Sequence, residues 1–242
     1  MATCETIFQT TNISQYNKYC DFIYKLVSDY FEANGIDSWE NFCYGDDVEN
    51  EPIYFNGEIC SGATKVVLVP YDMPFVIKIP FSGWREDWDG ECIPFEEGFN
   101  SALEELGYST QGNNYCDLEV NVYAASVQEG VSQFFAPTIF FDEINSFPIY
   151  IQTKITANTW ATRKIKPKDN DTYTYASIKN SDMIDPECGT RLLQFYSVEE
   201  IARFLSFVKT YNIVDIDNFR NGGVAAEIGR YIFWDYSGYY ER

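Results

Sequence analysis

The sequence predicts an α+β fold, on three observations. β-branched runs broken by turn residues recur over 53–79 and again over 134–151. Stretches with helical spacing of apolar residues lie at 12–34, 115–127 and 197–211. The chain has 242 residues, 45% of them hydrophobic and 18% aromatic, enough for one large core or two small ones.

The first helix is expected from Asn12 to Asn34. Tyr16, Tyr19, Cys20, Ile23, Val27, Tyr30 and Phe31 share one face, and Gly35 is its stop. Asn56 to Val69 reads as strand, small-residue turn, strand. Pro70-Tyr71-Asp72-Met73-Pro74 is a turn-rich connector into Phe75-Val76-Ile77-Lys78-Ile79-Pro80, a third strand. Between Pro80 and Asn114 lies an insertion with a short helix expected over Phe95–Leu106, where Trp84, Trp88 and acidic residues form a lid or a partner surface. A helix follows over 115–127, with Tyr115, Leu118, Val122 and Ala125 as its apolar stripe. Two more strands, 134–141 and 147–151, complete a small antiparallel sheet. Ser197-Val198-Glu199-Glu200 is a capping box opening a helix to about Tyr211, with Ile201, Phe204, Leu205 and Val208 facing a core.

Charge and cysteine usage exclude several function classes. With 37 acidic and 17 basic residues the formal charge is −20. Such a field repels nucleic acid and anionic membranes and favours a basic protein partner. The acids are spread over several segments and read as solvated surface, with mimicry of DNA as the alternative. The basic cluster Arg163-Lys164-Ile165-Lys166-Pro167-Lys168 reads as a loop. No apolar run is long enough to span a membrane and no secretory leader opens the chain, so a cytoplasmic location is expected. Seven cysteines stand singly, without Cys-x-x-Cys spacing, and are expected to be reduced thiols rather than zinc ligands or disulfides.

Two segments point to chemistry. Lys78 is a lone cation in an apolar strand, and a buried ammonium needs a counterion. Glu119 lies beside the stripe of the following helix, within reach of Lys78; the alternative is a strand-end lysine and a solvated glutamate. Near the C-terminus, Ile213-Val214-Asp215-Ile216-Asp217-Asn218-Phe219-Arg220-Asn221-Gly222-Gly223-Val224 forms an acidic turn and a hairpin that leads to Asp235-Tyr236-Ser237-Gly238. Asp, Asn and Gly also make ordinary turns. Combined with the upstream lysine, however, they suit metal and phosphate.

These segments resemble the protein kinases, over about residues 53–238 in order. Val76-Ile77-Lys78-Ile79 is similar to the kinase strand Val-Ala-Ile-Lys, the Asp217 region to the catalytic loop, and Asp235-Tyr236-Ser237-Gly238 to the Asp-Phe-Gly motif. The last is a form met in compact kinase-like proteins of bacteria and their phages. The resemblance implies a small antiparallel-sheet lobe with one key helix and a minimal, mainly helical second lobe. Residues 1–52 would be a helical extension, 53–151 the first lobe with an insertion at about 81–114, and 152–242 a truncated second lobe.

It also implies ATP and Mg²⁺ as ligands and transfer of phosphate to a protein or small-molecule hydroxyl, as by a Ser/Thr-type kinase or another phosphotransferase. Lys78 would meet the α/β-phosphates and Glu119 would orient it. Gly62, Lys65 and Val67 would belong to the phosphate loop, with Lys65 swinging outward or lending its charge to phosphate. Asp217, 18 residues before Asp235, would be the base, with Asp215 as the alternative. Asp235 would hold metal with Asn221 or Asn218, since family spacing puts the metal-binding Asn at position 222, here Gly222. The chain ends four residues after Gly238, so no peptide-docking platform is expected. The rival reading is a pseudokinase, a catalytically weak acidic binding or inhibitor module of the same fold.

Overall fold

The computed structural model describes residues 4–10, 12–44, 55–62, 64–85, 92–94, 109–110, 114–156, 186–211, 213, 216, 221–225, 229–236 and 240–241. They form an α+β chain. Its helices are α1 (Cys4–Phe8), α2 (Ile13–Ala33), α3 (Tyr115–Gln128), α4 (Pro186–Phe195) and α5 (Val198–Tyr211). The strands are β1 (Cys43–Tyr44), β2 (Gly57–Ser61), β3 (Lys65–Pro70), β4 (Phe75–Pro80), β5 (Gly83–Arg85), β6 (Cys92–Pro94), β7 (Ser109–Thr110), β8 (Thr138–Ile144), β9 (Phe147–Thr153), β10 (Gly222–Ala225), β11 (Arg230–Phe233) and β12 (Tyr240–Glu241). Two compact units are present: 1–120 with 137–154, and 121–136 with 155–242.

The first unit is built on a five-stranded antiparallel sheet in the order β2-β3-β4-β9-β8. Alternation along the strands sends Val66, Leu68, Ile77, Ile79, Ile149 and Ile151 to one face, where they pack with α1 and α2 in one buried cluster. α2 buries Ile23, Leu26, Val27, Tyr30 and Phe31, so of the expected face Ile23, Val27, Tyr30 and Phe31 are buried, Leu26 joins them, and Tyr16, Tyr19 and Cys20 are half-buried against the cluster. Its start is fixed by Asn12, whose side chain accepts the Ser14 amide at 2.9 Å and the Gln15 amide at 3.4 Å. It ends where Gly35 takes a left-handed φ of 63° and the Ile36 amide returns to the Phe31 carbonyl at 2.9 Å. A small sheet, β1-β5-β6, takes β5 and β6 from the expected insertion and pairs them with β1, which lies before it. The helix expected at Phe95–Leu106 and the basic cluster at 163–168 lie outside the described residues.

The second unit has an aromatic core. Phe134 stacks on Phe204 at 4.4 Å between ring centres, and Phe204 lies nearly parallel to Phe233 at 5.6 Å. Tyr236 is fully buried and donates its hydroxyl to the Ala136 carbonyl at 2.5 Å. α5 starts with the expected capping box: the Ser197 amide donates to Glu200 at 2.8 Å and the Glu200 amide to the Ser197 hydroxyl at 3.2 Å. Ile201, Phe204, Phe207 and Val208 form its buried face, while Leu205 is half-buried.

Two expectations are corrected. Phe134 and Phe135 do not open a strand: Ser132–Phe134 is a 3₁₀ turn, and β8 starts at Thr138. α3 gives way to Gly130 at a φ of 68°, which turns the chain at once and delivers both rings to the second core. The cysteines are not all reduced either. Cys4, Cys20, Cys60 and Cys116 are free thiols, but Cys43 is disulfide-bonded. Among the described residues no helix is long and apolar enough to cross a membrane.

Candidate functional site

The opposite face of the five-stranded sheet carries charge. In the register of the strands, Lys65 faces Pro80, Val67 faces Lys78, and Lys78 faces Tyr150. All five therefore share the face turned away from the α2 core. Over this face the first turns of α3 bring Glu119. The Glu119 carboxylate is bound at both ends, one oxygen to the Lys78 ammonium at 2.6 Å and the other to the Lys65 ammonium at 2.5 Å. Glu119 is fully buried, and Lys78 and Lys65 are 3% and 6% exposed. A carboxylate can accept at both oxygens, and burial sharpens each attraction because the local dielectric is low.

α3 is held in place by a second polar contact. Asn114 caps it, its side-chain oxygen accepting the amides of Cys116 at 2.9 Å and Asp117 at 3.1 Å. The Asn114 amide group donates to the Tyr150 hydroxyl at 2.9 Å, and that hydroxyl donates to Asp117 at 2.6 Å. Burial, then the Asp117 carboxylate, pushes the Tyr150 phenol well above its usual range, so it stays a donor. Cys116, one turn before Glu119, is fully buried, and desolvation first, then Glu119, raises its thiol out of the titrating range.

The turn between β2 and β3 is a tight hairpin. The Gly62 amide donates to the Lys65 carbonyl at 3.0 Å, and Gly62 itself is exposed. A Cβ there would meet nothing nearer than that carbonyl at 3.9 Å, so neither space nor backbone conformation requires glycine. Val67 is half-buried between the two lysines. Of the two alternatives for Lys65, swinging outward or lending its charge to phosphate, the first is not met: the hairpin register turns it inward to Glu119.

In the second unit, β10 and β11 pair antiparallel, with Gly222 opposite Phe233. Asn221 and Asp235 flank the open end of this hairpin, and the Asn221 carbonyl accepts the amides of Trp234 at 2.9 Å and Asp235 at 3.2 Å. Both residues are half-buried. Position 222 is closed to a side chain: a Cβ on Gly222 would lie 2.9 Å from the Tyr231 ring, 3.0 Å from the Ile232 carbonyl and 3.0 Å from the Phe233 ring. A side chain at 222 would require these neighbours to shift, and Asn221 stands one residue before the strand. Asp215, Asp217 and Asn218 lie outside the described residues. Among the described residues no group of three or more His, Cys, Asp or Glu side chains is arranged to hold a metal ion.

The structure thus brings Lys78 and Glu119 together, and Asn221 beside Asp235. Sequence reasoning missed the Lys65–Glu119 contact and the Asn114–Asp117–Tyr150 clasp. The clasp had a signal, an Asn three residues before an Asp at a helix start. No family model, curated protein or solved structure matches this chain.

Proposed function

We propose that this chain is a protein-kinase-like protein that binds ATP with Mg²⁺ and transfers the γ-phosphate to a hydroxyl acceptor. The observation that carries the reading is the buried Lys78–Glu119 pair. It joins the third strand of an antiparallel sheet to the helix that follows, within the strand order β2-β3-β4-β9-β8. A lysine held this way offers its ammonium to the α/β-phosphates, and Glu119 fixes its direction. Asp235 and Asn221 present oxygen donors, and Mg²⁺ is commonly held by one or two such groups together with substrate phosphates, so the donor set fits that ion. When bound, Mg²⁺ supplies charge neutralisation at the phosphates. Asp217 is the residue assigned to take the acceptor's proton. The gain in rate comes from positioning and electrostatics.

One observation favours the second reading, a pseudokinase acting as an acidic binding module. The Gly62 amide closes its own turn instead of being offered to a phosphate. Thermal unfolding of the full chain in a titration of ATP with Mg²⁺ tests the two. A ligand that binds only the folded state stabilises it by about 2.7 kcal/mol at a hundredfold excess over Kd. The kinase reading expects that rise, with its metal-dependent part lost in Asp235→Asn. An unmoved transition at millimolar ATP defeats nucleotide binding and leaves the binding module.

A further inference from the structure

Glu119 holds two lysines from neighbouring strands, one at each carboxylate oxygen, and every member of the cluster is buried. A cluster of this kind is a poor device for stability, because desolvating each ion offsets much of the attraction, and apolar side chains of similar volume serve a core as well or better. Lysine and glutamate are almost never fully buried unless paired, so three such residues on one sheet face call for a role beyond packing. The positions of the two lysines differ in a useful way. Lys78 sits in the interior of β4, fixed by strands on both sides. Lys65 opens β3 directly after the exposed turn at Gly62, on a stem with four rotatable carbons. Of the two, Lys65 is the one at a strand end, next to the exposed turn, where a shift toward a ligand would leave Lys78 to keep Glu119 in place.

We infer that Lys65 is a second phosphate-contacting lysine, sharing Glu119 with Lys78, and that the site takes a polyphosphate between two ammonium groups instead of one. This rests on the nucleotide reading above. Glu119 then acts as a common tether that holds both cations in register before the ligand arrives, which lowers the ordering needed on binding.

Calorimetric titration of the full chain with ATP plus Mg²⁺, adenosine and inorganic tripolyphosphate separates the possibilities. Lys65→Met and Lys78→Met are each expected to weaken ATP and tripolyphosphate by about tenfold or more, the size of one charge-assisted contact. Adenosine, which lacks phosphate, should bind both variants as it binds wild type. Lys65→Arg should recover most of the loss. Lys65→Gln, which keeps a donor toward Glu119, answers the same question should Lys65→Met fail to fold. Unchanged tripolyphosphate and ATP affinity in the folded Lys65 variants, with loss in Lys78→Met, would overturn the inference and leave the nucleotide reading standing. Wild type that binds tripolyphosphate in a Lys65-dependent way, but neither ATP nor adenosine, would uphold the two-lysine site and remove the nucleotide. Binding of none of the three overturns both.

Discussion

The Tyr150 hydroxyl donates to the Asp117 carboxylate at 2.6 Å, two residues before Glu119, on the strand position that faces Lys78. One tyrosine thereby ties the start of α3 to the sheet that carries both lysines. Tyr150→Phe removes that bond, and with it the one the hydroxyl accepts from Asn114, while keeping the ring. It should cost about 1.5 kcal/mol, within the span for a hydrogen bond to a charged group in a half-buried setting. Urea unfolding measures it, and a change under about 0.5 kcal/mol would mean that the clasp does not hold the helix.

Glu119 should matter more for stability than either lysine of its cluster. Glu119→Gln takes away the carboxylate that both ammonium groups contact, and breaking a buried ion pair from one side costs about 3–5 kcal/mol. Replacing all three residues at once, by Lys65→Met, Lys78→Met and Glu119→Leu, should recover most of that stability, because no charge is then left in the core. Were the triple variant as unstable as Glu119→Gln, the cluster would be contributing to folding itself, and its proposed role in holding phosphate would lose its rationale.

Much of the fold was legible in both units where the signals are local. Asn12 and Gly35 mark the ends of α2, Ser197 and Glu200 mark the start of α5, and a solitary Lys78 in an apolar strand requires a partner that Glu119 supplies. Lys65 was not legible, since its direction depends on the register of a hairpin whose turn lacks the usual strong residues. Phe134 and Phe135 were misread because a short apolar run looks the same whether it lies in a strand or in a turn inserted into a core. The Cys43 disulfide depends on strand placement that spacing alone does not encode. Of the candidate site, the acidic loop around Asp217 lies outside the described residues, so its assigned chemistry stands on the sequence.

Stability should fall in alkali, and the buried thiol and phenols set where. Burial raises Cys116, Tyr30, Tyr150 and Tyr196 above their ordinary values. A group whose folded-state pKa is raised contributes its full stability below the unfolded pKa and loses it as pH climbs toward the folded one. Unfolded thiols titrate at about 8.5 and phenols at about 10, so the decline should start near pH 8.5 and steepen past 10. Each group adds at most about 1.4 kcal/mol per pH unit. In Cys116→Ala the early part of the decline, between about pH 8.5 and 10, should become shallower, the rest coming from Cys4, Cys20 and Cys60, whose thiols burial also raises. Urea midpoints across that range check it, and an unchanged early slope in Cys116→Ala would assign the decline to other groups.

Moving the asparagine into the strand should harm the protein, although position 222 is where the proposed kinase reading would expect it. Gly222 is buried in β10, and a Cβ there would lie 2.9–3.0 Å from the Tyr231 ring, the Ile232 carbonyl and the Phe233 ring, inside ordinary van der Waals contact. Gly222→Asn must push strand β11 aside, and overpacking of this kind costs about 1–3 kcal/mol or more. Asn221→Ala keeps the backbone carbonyl that accepts from Trp234 and Asp235, so the hairpin should survive with a smaller loss. If Asn221 serves the metal, Asn221→Ala should nonetheless lose the Mg²⁺-dependent part of nucleotide stabilisation, as Asp235→Asn does. Melting temperatures of the three variants, each with ATP and with or without Mg²⁺, give both readouts. A folded Gly222→Asn that responds to Mg²⁺ more strongly than wild type would show that the asparagine was displaced without structural need, and that the closed position at 222 does not explain its place in the loop.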